Sequence, residues 1–322
     1  MKRLVAFVAA LLLAAVGGVL FLVPSNHYLF LPDPARPVDP LVKVPGEETG
    51  DSRGGLYMVD ILVRRATLFE RLFPGVAEGS SLVPEGRVNP GGVSEEERRR
   101  HSLREMSASQ KIAVAVALRS LGYKVPTNTE VADVERGAPA DGKLRRGDII
   151  LNARGTAVRS PVDLFDIMRA HRPGDPVQVT IRREGRVHEL EVGTRAADDD
   201  SDRAVMGVFV EVEIDPPVNV RIDAGDIGGP SAGLAFALDI VDELGRDVDR
   251  GRRVAVTGAL GLDGTVDAIG GIKQKAIGAR EAGAEVFIVP RGNAKEARSY
   301  AEGLEIVAVR SFADALARLT TP

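Results

Sequence analysis

The chain has 322 residues, of which 44% are hydrophobic and 4% aromatic, with a net charge of −4. That length suits two domains and more, and the mild negative charge removes the electrostatic case for nucleic acid, which needs a concentrated basic face. Cysteine is absent, which excludes disulfides, thiolate metal sites and a cysteine nucleophile, and only His27, His101, His171 and His188 could serve as a histidine base or ligand.

Leu4 to Val23 reads LVAFVAALLLAAVGGVLFLV, twenty residues without a charge. At about 1.5 Å rise per residue this spans the ~30 Å hydrocarbon core of a bilayer. Lys2 and Arg3 precede it and the next charge is Asp33. The positive-inside rule then leaves the N-terminus in the cytoplasm and the bulk of the chain outside. The run is long for the apolar region of a cleaved signal peptide, so an uncleaved single-pass anchor over residues 1–25 is expected, with the lipid bilayer as one partner and the cell membrane as the location.

Residues 26–56 are rich in Pro, Gly and acids and read as a linker lifting the body off the membrane. Tyr57 to Arg64 alternates as a strand does. Ser94 and Glu97 form a capping-box pattern, and the stripe Leu103, Met106, Ala113, Val114, Ala117 and Leu121 carries a helix to Gly122. Residues 57–121 thus form a strand and an amphipathic helix leading into a strand-rich segment, 122–195. A polar acidic stretch, 196–203, follows as a second linker. From 204 to 322 strands and helices alternate, the pattern of a compact α/β domain. The fold class is α+β multidomain.

Within 122–195 the pieces Ala138-Pro139-Ala140 and Leu144-x-x-Gly147-Asp148-x-Ile150, a turn at Gly155, a helix from Pro161 to Ala170 and the strand PVQVTIRR occur in order. This segment resembles a PDZ domain, a β-rich partial barrel. The resemblance implies that an extended peptide is bound by strand addition, in a groove between the strand Glu130–Val134 and the helix Val162–Met168. Val131, Val134, Leu164, Ile167 and Met168 are its expected walls. Leu121-Gly122-Tyr123-Lys124-Val125 is a poor match to the usual carboxylate-binding loop. Asp148 is read as structural, bonding turn amides.

Asp226 to Gly233 reads D-I-G-G-P-S-A-G. Gly228 and Gly229 permit close backbone approach, Pro230 suits a helix start, and Ser231 would sit where free N–H groups and the helix dipole stabilise negative charge. Backbone amides around Gly228–Ser231 could then hold an oxyanion. Taken alone the motif favours an N-cap serine after a glycine turn. Downstream come T-G-A-L from Thr257, G-T-V-D-A-I-G-G-I-K-Q-K ending at Lys275, A-R-E-A-G-A, and V-P-R-G-N ending at Asn293.

Together these blocks resemble the proteolytic domain of the Lon family, in its membrane-anchored, PDZ-containing branch. The resemblance implies that Ser231 is the nucleophile, that the general base is a lysine of the I-K-Q-K segment, and that Thr257 lines the site. Lys273 and Lys275 point about 200° apart on a helix, so one of them faces the serine, and the family pattern selects Lys275. Desolvation must lower its pKa for it to accept a proton. Asp226 and Asp267 read as turn or surface residues. No phosphate loop G-x-x-x-x-G-K-[ST] occurs. The expectation is an ATP-independent Ser-Lys endopeptidase, without metal or cofactor, acting on exported or membrane-proximal proteins that the PDZ groove selects. Ring assembly into a homo-oligomer is implied by the family alone. The competing reading is an inactive membrane scaffold, against which the intact Ser231, Lys275 and Thr257 set argues.

Overall fold

The computed structural model describes residues 2–45, 54–198 and 200–320. The chain divides into two compact units, Met1–Ala117 with Asn219–Pro322, and Leu118–Val218.

The first unit is built on a parallel sheet. Gly55–Met58, Arg253–Val256, Val286–Pro290 and Glu305–Val309 lie side by side in that order, and Arg36–Pro37 adds an antiparallel edge. Val286–Pro290 reads VFIVP and is buried at every residue, as expected of a strand covered on both faces. The covering helices include Gly233–Glu243 and Ile272–Glu281, followed by Ala294–Arg298 and Phe312–Thr320. Small, branched and aromatic residues fill the space between, among them Val59, Ala255, Ala276, Phe287 and Val289. A smaller antiparallel sheet places Pro24–Pro32 between Ile61–Thr67 and Ser81–Pro84.

Several expectations about this unit are corrected. The linker over 26–56 is not a spacer: Pro24–Pro32 pairs with Ile61–Thr67 from Tyr28↔Arg65 to Pro32↔Ile61, and Tyr28 and Leu29 are buried. The short run HYLFL has enough apolar surface to be held in the sheet, with prolines confined to the strand ends. Residues 46–53 of that stretch lie outside the described residues. The Tyr57–Arg64 strand is two strands, broken at Val59–Asp60 where the chain passes from one sheet to the other. The long helix Glu95–Ser120 does begin at its capping box: the Ser94 amide and hydroxyl donate to Glu97 at 2.9 and 2.8 Å, and the Glu97 amide donates back to Ser94 Oγ. Finally, Lys2–Leu22 is helical, yet among the described residues no helix is long and apolar enough to cross a membrane. The transmembrane span is therefore not shown.

The second unit has a main sheet in the order Arg186–Val192, Val177–Arg183, Ile149–Ala153, Thr127–Val134, Val208–Ile214, with the helix Pro161–Arg169 and a separate two-stranded ribbon. Asp148 is buried, accepts from the Arg145 amide at 2.8 Å and takes a forked pair from Arg183 at 2.6 Å each. Val208–Ile214 corrects the domain boundary. The sequence pattern opens the proteolytic domain at residue 204, whereas this strand pairs antiparallel with Thr127–Val134. The 196–203 stretch, apart from Asp199, which is not described, links Arg195–Ala196 to its antiparallel partner Ala204–Val205 within the same unit.

Candidate active site

The G-G-P-S-A-G turn is held by the long helix beneath it. The Gly229 amide donates to Ser102 O at 2.8 Å, and Ser109 Oγ donates to Pro230 O at 3.0 Å. Gly229 has φ +86°, and a Cβ on Gly228 would stand 2.5 Å from Ser102 Oγ. Both glycines are thus required by geometry, one by conformation and one by space. Of the amides expected to form an oxyanion hole, that of Gly229 is engaged by Ser102 and Pro230 has none. The Gly228 and Ser231 N–H groups remain as the donors of that stretch.

The helix begins at Gly233, two residues later than the sequence suggests, with Ala232 at the N-cap and no side-chain capping bond. The Ser231 hydroxyl is therefore not a cap. Its backbone carbonyl is pinned by the Gly258 amide at 2.8 Å and by Thr257 Oγ1 at 3.3 Å. The hydroxyl itself meets Lys275 Nζ at 2.7 Å.

Lys275 lies in the first turns of Ile272–Glu281, after Gly271 in the left-handed conformation. Its side chain is buried, and Nζ also donates to Val59 O at 2.8 Å and Thr257 Oγ1 at 3.2 Å. Burial lowers its pKa to about 8, against the opposing pull of the Asp60 carboxylate. Three neighbours around one amine have a chemical reading. A neutral amine has two N–H donors and one lone pair. Val59 O and Thr257 Oγ1 take the two hydrogens, which leaves the lone pair for the Ser231 O–H. The arrangement can remove a proton from a serine hydroxyl.

Lys273 points elsewhere, donating to Ser80 O at 2.9 Å with its ammonium over the Tyr300 ring. Gln274, also buried, donates to Gly79 O and Ser81 Oγ. The V-P-R-G-N motif is structural. Asn293 accepts from the Ile269 amide and donates to Ile269 O, both at 2.9 Å, which fixes the entry to the Lys275 helix. Asp226 is exposed in an ion pair with Arg99, and Asp267 is exposed. Sequence reasoning missed Val59 and Asp60. Nothing in YMVDILVR marks the carbonyl that receives Lys275, because only the break between two sheets frees it. Asp60 lines the same cleft, 3.6 Å from Arg36, with its pKa raised by burial first.

That cleft, of about 1020 Å³, is lined by Ser231 and Lys275, the Asp223–Gly228 loop and the residues Ile61, Leu62 and Val63. Ile61–Thr67 is the outer strand of its sheet, paired only with Pro24–Pro32 among the described residues.

In the second unit the expected groove is displaced by one strand. Thr127–Val134 is paired on both sides and has no free edge. Val131 is fully buried in the core, and Val134 and Ile167 pack against that core. Leu164 and Met168 do line a groove, of about 590 Å³, but its strand is Val208–Ile214, with Val162 and Phe165 opposite. Ahead of that strand stands Val205-Met206-Gly207-Val208, with Gly207 at φ +78°. This hydrophobic-glycine-hydrophobic loop lies at the C-terminal end of the unit, which is why Leu121–Val125 at its start matches that pattern poorly.

Residues 209–321 match the family model of the Lon protease C-terminal proteolytic domain, and residues 105–194 that of the PDZ domain. Lon protease 2 of Bacillus subtilis is 34% identical over 106 residues, 33% of this chain and 18% of that protein. Lon protease of Citrifermentans bemidjiense is 35% identical over 104 residues, 32% of this chain and 13% of that protein. The matched stretch thus spans less than a fifth of either relative. The PDZ domain of the SdrC-like protein from Listeria monocytogenes aligns with 26% of this chain and 85% of its own, at 22% identity and TM-score 0.24. The chain therefore carries a Lon-type proteolytic domain, in which Ser231 and Lys275 lie, and a PDZ domain before it.

Proposed function

We propose that the protein is a serine endopeptidase that works through a Ser231–Lys275 dyad. The observation that carries this reading is the 2.7 Å contact between Ser231 Oγ and a buried lysine amine whose pKa is about 8. At pH 7 about a tenth of such lysines are neutral. In the proposed cycle the amine takes the serine proton as Oγ attacks the peptide carbonyl, and then returns it to the leaving nitrogen. The Gly228 and Ser231 amides stabilise the oxyanion, and Thr257 and Val59 hold the amine in place. Water then hydrolyses the acyl-enzyme. The free edge of Ile61–Thr67 beside the serine suits an extended substrate, whose backbone can pair with it.

The rest of the reading has its own support. The Val208–Ile214 edge and the Val162–Met168 face form an apolar groove that suits strand addition by a peptide, so peptide-guided substrate choice is part of the proposal. Membrane tethering rests on the uncharged run Leu4–Val23 and on the exposed apolar side chains of Leu4, Phe7, Leu11, Phe21 and Leu22. An extracytoplasmic site follows from Lys2 and Arg3 before that run. Independence of ATP and assembly into a homo-oligomer complete the proposal.

The test is cleavage of a disordered reporter protein by the full chain without ATP. Ser231→Ala and Lys275→Ala should each abolish cleavage, and Lys273→Ala should retain it. Activity surviving Lys275→Ala would sink the dyad.

A further inference from the structure

The cleft that holds Ser231 and Lys275 is also lined by four aspartates and two arginines. Most of these charges are engaged within the protein. Arg36 pairs with Asp33 and lies 3.6 Å from Asp60. Asp226 pairs with Arg99 at 2.7 Å, and one oxygen of Asp223 accepts from the Gly225 amide at 3.1 Å. Arg98 differs from all of them. Its guanidinium makes no hydrogen bond and no ion pair among the described residues, and its Nε is buried without a partner. Drawing part of a cation out of water without a compensating bond is unfavourable, so the packing of the first unit gives no reason for a charge here.

What holds Arg98 is an aromatic face. Its Cζ lies 4.9 Å from the centroid of the Tyr28 ring, and Tyr28 is itself buried. Arg65 lies over the same ring at 5.3 Å, but it donates to Glu95 and Glu85 at 2.8 and 2.7 Å. One aromatic support thus carries an arginine with two carboxylate partners and an arginine with none among the described residues. The place of Arg98 on the long helix Glu95–Ser120 ties it to the chemistry. It stands one turn before Ser102, whose carbonyl accepts from the Gly229 amide at 2.8 Å and against which Gly228 packs. One turn is about 6 Å along the helix, so Arg98 is within reach of a substrate side chain a few residues from the scissile bond.

We propose that Arg98 is a specificity-determining residue of the peptidase, binding an Asp or Glu side chain of the substrate close to the scissile bond. The inference rests on the Ser231–Lys275 reading, which makes this cleft the substrate site. A guanidinium presents a planar fork that a carboxylate meets with two parallel hydrogen bonds. Stacking on Tyr28 orients that fork in advance, so little side-chain freedom is lost when the substrate arrives. A side-chain carboxylate is favoured over a free C-terminus because an endopeptidase cuts within chains whose ends lie elsewhere.

The test uses the full chain in detergent with peptides that share one cleaved bond and end in an amide. A single Glu is moved along each, from a few residues before the bond to a few after, and every peptide is compared with its Gln counterpart. At one position Glu should lower KM by about five- to tenfold relative to Gln with little change in kcat, the size expected of a charge-assisted pair. That preference should fall to near unity in Arg98→Met, which keeps an apolar stem over Tyr28. It should survive in part in Arg98→Lys, which keeps the charge and loses the fork, and persist in full in Arg100→Met. Binding of the same peptides to Ser231→Ala, followed by fluorescence anisotropy, should show the Glu preference without cleavage. A preference at no position, or one undiminished in Arg98→Met, overturns the inference and leaves the dyad standing. Should the Met variant not fold, a preference in Arg98→Lys as large as the parent's overturns it instead. A preference confined to peptides ending in a free carboxylate overturns the choice of a side chain. The Glu preference in Ser231→Ala together with cleavage that survives Lys275→Ala would keep the Arg98 site and sink the dyad.

Discussion

At the scale of single residues, the chemistry turns on an amine buried without a carboxylate salt bridge. Lys275 has three oxygen neighbours, and none is ionised. Burial therefore acts on its pKa with only the more distant Asp60 opposing. This has a measurable consequence for stability. Below pH 8 the lysine is protonated in the folded and unfolded states alike, and the full cost of burying an ammonium is present. Between pH 8 and 10.5 the unfolded chain binds the proton and the folded chain does not, so stability rises with pH across that window. The shift corresponds to about 3 kcal/mol at most. Lys275→Met, of similar length and uncharged, should raise the unfolding midpoint at pH 7, and the advantage should shrink as pH approaches 10.5. Thermal melts of the two proteins across that range check it; a Met variant less stable at pH 7 than the parent contradicts the assigned state.

Two residues were readable at this scale for different reasons. Ser231 stood out only in company: its glycine turn before an apolar helix alone fits an N-cap serine, and the spaced blocks from Thr257 to Asn293 marked it as a nucleophile. The choice of Lys275 over Lys273 needed the family register, and the structure gives its physical basis: Lys273 and Lys275 face Ser80 and Ser231 respectively. Val59 was not legible at all, since a backbone carbonyl carries no sequence signature.

At the scale of elements, the site depends on how closely the Lys275 helix approaches its neighbours. Gly278, one turn after Lys275, donates nothing through a side chain, but its carbonyl accepts from the Ala35 amide at 3.2 Å. A Cβ there would stand 2.1 Å from Asp33 O, a backbone atom that cannot rotate away. Gly278→Ala should therefore destabilise the protein by about 1–3 kcal/mol, as overpacking does, and lower kcat by moving Lys275 off Ser231. Gly270→Ala, where a Cβ meets nothing within 4 Å, should do neither. Denaturant melts and steady-state kinetics on the two variants separate these outcomes.

The Asp33–Ala35 contact also explains why the 26–56 stretch misled. Its proline and acid content is that of a linker, while its few apolar residues are placed to pair and pack. Composition averages over a segment, whereas a sheet needs only alternate positions. The same limit applies to Val208–Ile214. Its alternation VFVEVEI identifies a strand correctly, but alternation says nothing of which sheet receives it.

At the scale of the whole molecule, two domains of different kinds share one chain, and their fold types were legible because each rests on several spaced motifs. Domain edges were not, because a strand can be donated across a boundary that composition suggests. The displaced groove gives a prediction of its own. Phe209→Asp on the Val208–Ile214 edge should weaken binding of hydrophobic extended peptides and raise KM for protein substrates. It should leave cleavage of short peptides by the Ser231 site unchanged. Fluorescence anisotropy with labelled peptides, run beside the two cleavage assays, tests this; equal loss in both assays would point to misfolding rather than a recognition role.

The proposed activity stands or falls on a buried neutral lysine that activates Ser231. The pH dependence of kcat/KM on a disordered substrate probes that lysine directly. The rate should rise tenfold per pH unit on the acid side and level off above about 8, the pKa of Lys275, with no measurable activity in Lys275→Met at any pH. A rate that is flat through that range, or that is governed by a group titrating near 6.5 as a histidine does, would contradict it.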